Sequence, residues 1–276
     1  MSPIELLDWP PTPTPQTKVY APVGECIYCG SKERLTDEHI IPYGLGGTFI
    51  LPKSSCQSCA KITSKIERAC LRTMFGDLRA SRKTRRRRRG KKNKFIPRPM
   101  FAQFGNTLVP YRAPDAHDRL NLATMFAYDD PTIISGKSPT NRQFVRGGWM
   151  GGTIGKNAPT AANIALKKPV PRLASITSFH PEIFSKMLAK IAHAHAMADA
   201  RGQFKPLLPP YIVGNAENLT GFLVGGDPNR PPPSKTDFES SLHRVPSITG
   251  IEYLMVRLRF FGDLGTPIYY VIAGEL

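Results

Sequence analysis

Cysteine is scarce and confined: there are five, at positions 26, 29, 56, 59 and 70, and none follows in the rest of the chain. A secreted disulfide framework distributes its cysteines over the fold it staples, so this pattern argues against one and metal binding is the better account. Long apolar runs are missing as well. No stretch of about 18 consecutive apolar residues is present, so no bilayer-spanning helix and no membrane partner are expected. The opening MSPIELLDWPPTPTPQTK has neither the basic flank nor the apolar run of a secretory signal, and a cytoplasmic protein is the expectation. Acidic residues are also few, 21 Asp and Glu against 38 Lys and Arg, for a formal net charge of +17. Such an excess points to a polyanionic partner.

With 276 residues, 41% of them hydrophobic, the chain can form a small module attached to a larger one. Residues 10–22 carry five prolines and no apolar periodicity, so 1–23 is expected to be a Pro-rich leader. A first module is expected over 24–76. Its later part, Gln57 to Phe75, repeats Ile62, Ile66, Leu71 and Met74 at near-helical spacing and should be a helix. From Arg79 to Arg98 there are 12 basic residues and no acidic one, so 77–100 is expected to be a basic arm or linker.

The remainder, 101–276, has the composition of a larger α+β domain, and its sequence names no chemistry. Its expected helix, Phe184 to Ala200, is Ala-rich, largely buried and preceded by Pro181. Its carboxy-terminal IEYLMVRLRFFGDLGTPIYYVIAGEL reads as two antiparallel strands around a Gly-Asp-Leu-Gly turn. His117, His180, His193, His195 and His243 are expected to be structural, since positions 193 and 195 point to different helix faces.

Cys26-Ile-Tyr-Cys29 and Cys56-Gln-Ser-Cys59 are two Cys-x-x-Cys hooks, each able to present two thiolates to one tetrahedral ion. Four thiolates would close the coordination shell of a zinc ion, which is therefore expected to be structural and not catalytic. Cys70 stands outside the pattern and reads as a small apolar residue on the helix. Between the hooks runs Leu35-Thr-Asp-Glu-His-Ile-Ile-Pro-Tyr-Gly-Leu-Gly-Gly47, which sets His39 beside Asp37 and Glu38.

Hook, Glu-His-Ile-Ile-Pro, Gly-Leu-Gly-Gly and hook, over about residues 24–76, together resemble the HNH endonuclease superfamily. That resemblance implies a zinc-bound ββα-metal module and hydrolysis of phosphodiester bonds, more often of DNA than of RNA. It gives His39 the role of general base; a neutral imidazole, with a reference pKa near 6.5, can accept a proton. It gives Glu38 the role of ligand to a catalytic Mg²⁺ or Mn²⁺ ion. Asp37 is the second choice as ligand, or a partner that orients the base; alternatively, Asp37 and Glu38 are a solvated turn of charge.

Many members of the superfamily carry Asn or His directly after the last zinc cysteine, and this chain has Ala60, which cannot ligate. Glu67 and, after it, Thr63 are the candidates to complete a metal site from the same helix. Glu67 could equally be an exposed charge pairing with Lys65, Arg68 or Arg72. Arg85, Arg86, Arg87, Arg88, Arg89, Lys91 and Lys92 are expected to contact phosphates without reading bases. The alternative is a zinc-ribbon nucleic-acid-binding protein whose nuclease site has decayed, which Ala60 favours. A third reading gives the main role to the carboxy-terminal part, as a sensor or interaction module with the nuclease as effector.

Overall fold

A computed structural model of the chain describes residues 7–8, 17–81, 100–111, 120–137, 145–154, 158–175, 180–214, 216, 219–227, 229 and 231–276. The first hook sits on a turn, 24–30, and the chain then runs into a hairpin of β3 (Leu35–His39) and β4 (Phe49–Cys56). Short strands precede it, β1 (Leu7–Asp8) and β2 (Lys18–Val19), and β2 adds to β4 in parallel. Helix α1 (Gln57–Thr73) follows β4 with no intervening loop, so Cys56 ends the strand and caps the helix. The hairpin and helix agree with the strand and helix expected in the module. The buried stripe of α1, however, is Cys59, Thr63, Ile66 and Cys70. Ile62, expected on that face, is exposed, because the four-cysteine cluster fixes Cys59 inward and successive steps of four and three select Thr63 and Ile66.

A short helix, α2 (Gly76–Ser81), ends the first described run. Then come a hairpin of β5 (Met100–Phe104) and β6 (Thr107–Tyr111), the paired strands β7 (Leu120–Tyr128) and β8 (Val145–Ile154), helix α3 (Ala158–Leu166), and β9 (Arg172–Ser175) on β5. Helix α4 (Pro181–Asp199) has a proline in its first turn, as expected, and is buried at every position from Phe184 to Ala196 except Lys186. A helix enclosed all round needs small residues where neighbours approach, and Ala189, Ala192, Ala194 and Ala196 supply them.

Around α4 lie β10 (Lys205–Pro206), α5 (Pro209–Val213), β11 (Val224–Gly226), and the antiparallel strands β12 (Phe238–Pro246), β13 (Glu252–Phe260) and β14 (Ile268–Glu275). The two terminal strands and the 3-10 turn Gly262–Leu264 between them match the sequence expectation.

One hydrophobic core runs from Val23, Cys26 and Ile40 through Cys70, Met74 and Phe75 to α4, β13 and β14. It crosses the position, 77–100, where the sequence suggests a division. Phe75 shows why: its ring packs on Phe184, Phe260 and Phe261 at 6.2, 6.4 and 5.7 Å between centroids. Helix α1 packs on α4 and α5, and Phe75, just beyond its end, reaches the carboxy-terminal sheet, so the module closes no separate small core.

Candidate metal centre and nuclease site

The sulfur atoms of Cys26, Cys29, Cys56 and Cys59 all lie within 4.8 Å of one another, and Cys29 Sγ is 3.7 Å from Cys56 Sγ. Tetrahedral zinc with bonds of about 2.3 Å needs sulfurs about 3.8 Å apart, so the cluster fits such an ion. Local structure explains the convergence. Gly30 takes a positive φ of 73° and donates its N–H to Cys26 O at 2.8 Å, which curls the first hook back on itself. The second hook sits where β4 becomes α1. Burial raises the Cys56 thiol, but the Cys59 N–H and the neighbouring thiols of Cys59, Cys29 and Cys26 outweigh it and bring Cys56 down to about 7. A thiol so placed readily becomes the thiolate that metal binding requires.

Strand β3 carries Asp37, Glu38 and His39 into three environments. A bulge lies between Thr36 and Glu38 in the β3–β4 register. Asp37, at that bulge, is exposed, and its Oδ1 accepts the N–H of Lys53 at 3.1 Å, where Lys53 itself has a positive φ of 47°. Asp37 therefore braces the hairpin. Glu38 turns inward and is only 6% exposed. His39 ends the strand, half-buried, with its ring edge-on to Tyr43 at 5.6 Å. The turn that follows must fold tightly, since a Cβ on Gly47 would meet Ile41 O at 2.0 Å.

Helix α1 brings Glu67 to the same interior as Glu38. Their meeting point is the ammonium of Lys190 on α4, which lies 2.6 Å from Glu38 Oε1 and 2.6 Å from Glu67 Oε1 and also donates to the backbone carbonyl of His39. The Lys190 side chain is fully buried. Burial opposes its charge, but the two carboxylates outweigh that and raise its pKa, so the ammonium stays charged. Burial, with Glu67 adding to it, raises the Glu38 carboxyl against the pull of Lys190. Thr63 is buried, and its hydroxyl donates to Ala60 O at 3.3 Å.

Residues 26–75 match a family described as HNH endonuclease. No curated protein and no solved structure matches the chain. The HNH-like segment thus carries both the cysteine cluster, able to hold a metal such as zinc, and the Asp-Glu-His triplet.

Lys190 is the site residue that the sequence does not announce, while His193 is structural, as expected. Lys190 left one signal: a cation flanked by Leu188, Ala189, Ile191 and Ala192 in a helix expected to be buried, which requires a buried counter-charge. His193, one turn on, contacts Ile27 O with its Nε2 at 2.7 Å and packs 5.4 Å from the Tyr28 ring. Burial lowers its pKa to about 4, so it is a neutral brace for the first hook. His195 Nδ1 meets Ser240 Oγ, and His195 Nε2 lies 2.8 Å from Asp199 Oδ2. Of the basic run, Arg79 fastens the turn to the helix, giving its Nε to Gly44 O and its Nη1 to Leu71 O at 3.1 Å. Arg85, Arg86, Arg87, Arg88, Arg89, Lys91 and Lys92 lie outside the described residues, as does His117.

Proposed function

We propose that the chain hydrolyses phosphodiester bonds, of DNA in the first instance, as an HNH-type endonuclease with His39 as general base. The observation that carries this reading is the position of His39: half-buried at the end of the strand that the four-cysteine cluster closes against α1, within the segment matching the HNH endonuclease family. In the reaction the His39 imidazole takes a proton from water as the water oxygen bonds to phosphorus. The bond from phosphorus to the leaving sugar oxygen then breaks, and that oxygen is protonated from solvent. Asp37 keeps the hairpin in the register that presents His39. Cys26, Cys29, Cys56 and Cys59 would hold zinc, whose closed thiolate shell supplies folding energy. The net charge of +17, with Arg85 to Arg89, Lys91 and Lys92 as phosphate contacts, draws the polyanion to the module.

The residues do not fit a catalytic Mg²⁺ or Mn²⁺ held by Glu38, because both carboxylates of the interior, Glu38 and Glu67, are engaged by the Lys190 ammonium. The same observation, together with Ala60, favours a second reading, a zinc-ribbon protein that binds nucleic acid without cutting it. Purified protein incubated with plasmid, oligonucleotide and RNA, with and without Mg²⁺ or Mn²⁺, separates the two. Cleavage that falls about 10²- to 10⁴-fold in His39→Ala, with binding retained, supports the nuclease. Binding without cleavage by either protein supports the second reading.

A further inference from the structure

The cluster of Glu38, Glu67 and Lys190 joins three elements at one buried point, and its geometry resembles that of an ion site. Two carboxylates from β3 and α1 converge on a single positive centre at 2.6 Å each, and a backbone carbonyl, that of His39, supplies a third acceptor. An ammonium has three N–H donors, and here each finds an acceptor. The positive centre comes from α4, in the carboxy-terminal part of the chain. One turn further along the same helix, His193 reaches the carbonyl of Ile27 inside the first cysteine hook.

We propose that the Lys190 ammonium is the resident cation of this module, occupying the place between Glu38 and Glu67 where a divalent ion would otherwise bridge them. Two carboxylates and a carbonyl are hard oxygen donors of the kind Mg²⁺ and Mn²⁺ select. With the ammonium in place Oε1 of each carboxylate and the carbonyl are engaged, and the Lys190 side chain that engages them is fully buried. Ala60, directly after the second hook and half-buried, adds no ligand. The cation thus arrives with the fold and needs no supply from solution.

This concerns the same site as the proposed function and is tested without nucleic acid, so its failure and the failure of that reading are separate results. The probe is Mn²⁺ titrated into the full-length, zinc-loaded protein, followed by electron paramagnetic resonance of the free ion. Wild-type protein is expected to bind Mn²⁺ with an affinity that neither Glu38→Gln nor Glu67→Gln alters. Lys190→Ala, checked for folding by circular dichroism, is expected to gain one Mn²⁺ site at least about tenfold tighter than any in wild type, because two unneutralised carboxylates set its strength. Adding Glu67→Gln to Lys190→Ala should abolish the gain. Wild-type Mn²⁺ binding that weakens about tenfold in Glu38→Gln or Glu67→Gln overturns the proposal, and that arm decides the matter even where Lys190→Ala does not fold. A folded Lys190→Ala that gains no Mn²⁺ overturns it as well.

Discussion

Lys190→Met tests whether the fold depends on the buried ammonium. Methionine retains an unbranched chain of similar bulk at this fully buried position of α4, so packing changes little and the lost charge dominates. The substitution strands Glu38, 6% exposed, and Glu67 beside each other with no counter-charge, and leaves the His39 carbonyl without its donor. Removing one partner of a buried ion pair costs about 3–5 kcal/mol, chiefly because the other charge stays buried. Unfolding entropy of about 2.1 cal/mol/K per residue over a chain of 276 residues converts this into a fall in Tm of about 5–9 °C. Thermal melts followed by circular dichroism at neutral pH read it. The triple variant Lys190→Met, Glu38→Gln, Glu67→Gln removes all three charges and should recover more than half of the loss, since matched neutral groups avoid the desolvation penalty. A Lys190→Met protein melting within about 1 °C of wild type, or a triple variant no more stable than the single one, would refute the reasoning.

Cys56→Ser should lower zinc content from about one equivalent per chain, measured by atomic absorption, and unfold the hairpin and α1, because metal binding contributes directly to folding. For His193, the folded pKa near 4 lies below the usual 6.5, so the unfolded chain takes up the proton first as pH falls. Its contribution, roughly 3 kcal/mol, is therefore complete above about pH 6.5 and is lost between there and about pH 4; urea melts across that range should show the loss, and His193→Gln should flatten it. Replacing 82–98 by a neutral Gly/Ser stretch of equal length should weaken DNA binding for all sequences alike. Each lost phosphate contact should also remove about 0.9 from the slope of log affinity against log salt; an unchanged slope would leave the segment as a spacer.

The cysteine hooks were legible because chemistry fixes their spacing: two pairs that must reach one tetrahedral centre leave a local signature, and the folded chain brings the four sulfurs together. Helix α4 and the last two strands were legible through composition and turn residues. What the sequence concealed is long-range. Glu38, Glu67 and Lys190 are far apart along the chain, and only the packing of α1 on α4 makes them neighbours. The continuity of the core was hidden for the same reason. The basic segment looks like a boundary, yet Met74 and Phe75 just before it and Leu78 at its start are fully buried in a core shared with residues from the far end of the chain. Asp37 and Arg79 looked like candidates for metal and phosphate, and both turn out to bind backbone.

The four-cysteine module does not stand alone. Residues 24–76 expressed alone would expose Ile66, Cys70, Met74 and Phe75 to water, and would leave the Ile27 carbonyl without His193 and the two carboxylates without their cation. A metal held by the four cysteines would still join the hooks, but the strand bearing His39 would lose its contact with Lys190 of α4. Lys190 and His193 thus carry α4 to the strand that bears His39 and to the first hook, so a substitution that displaces α4 is felt at both.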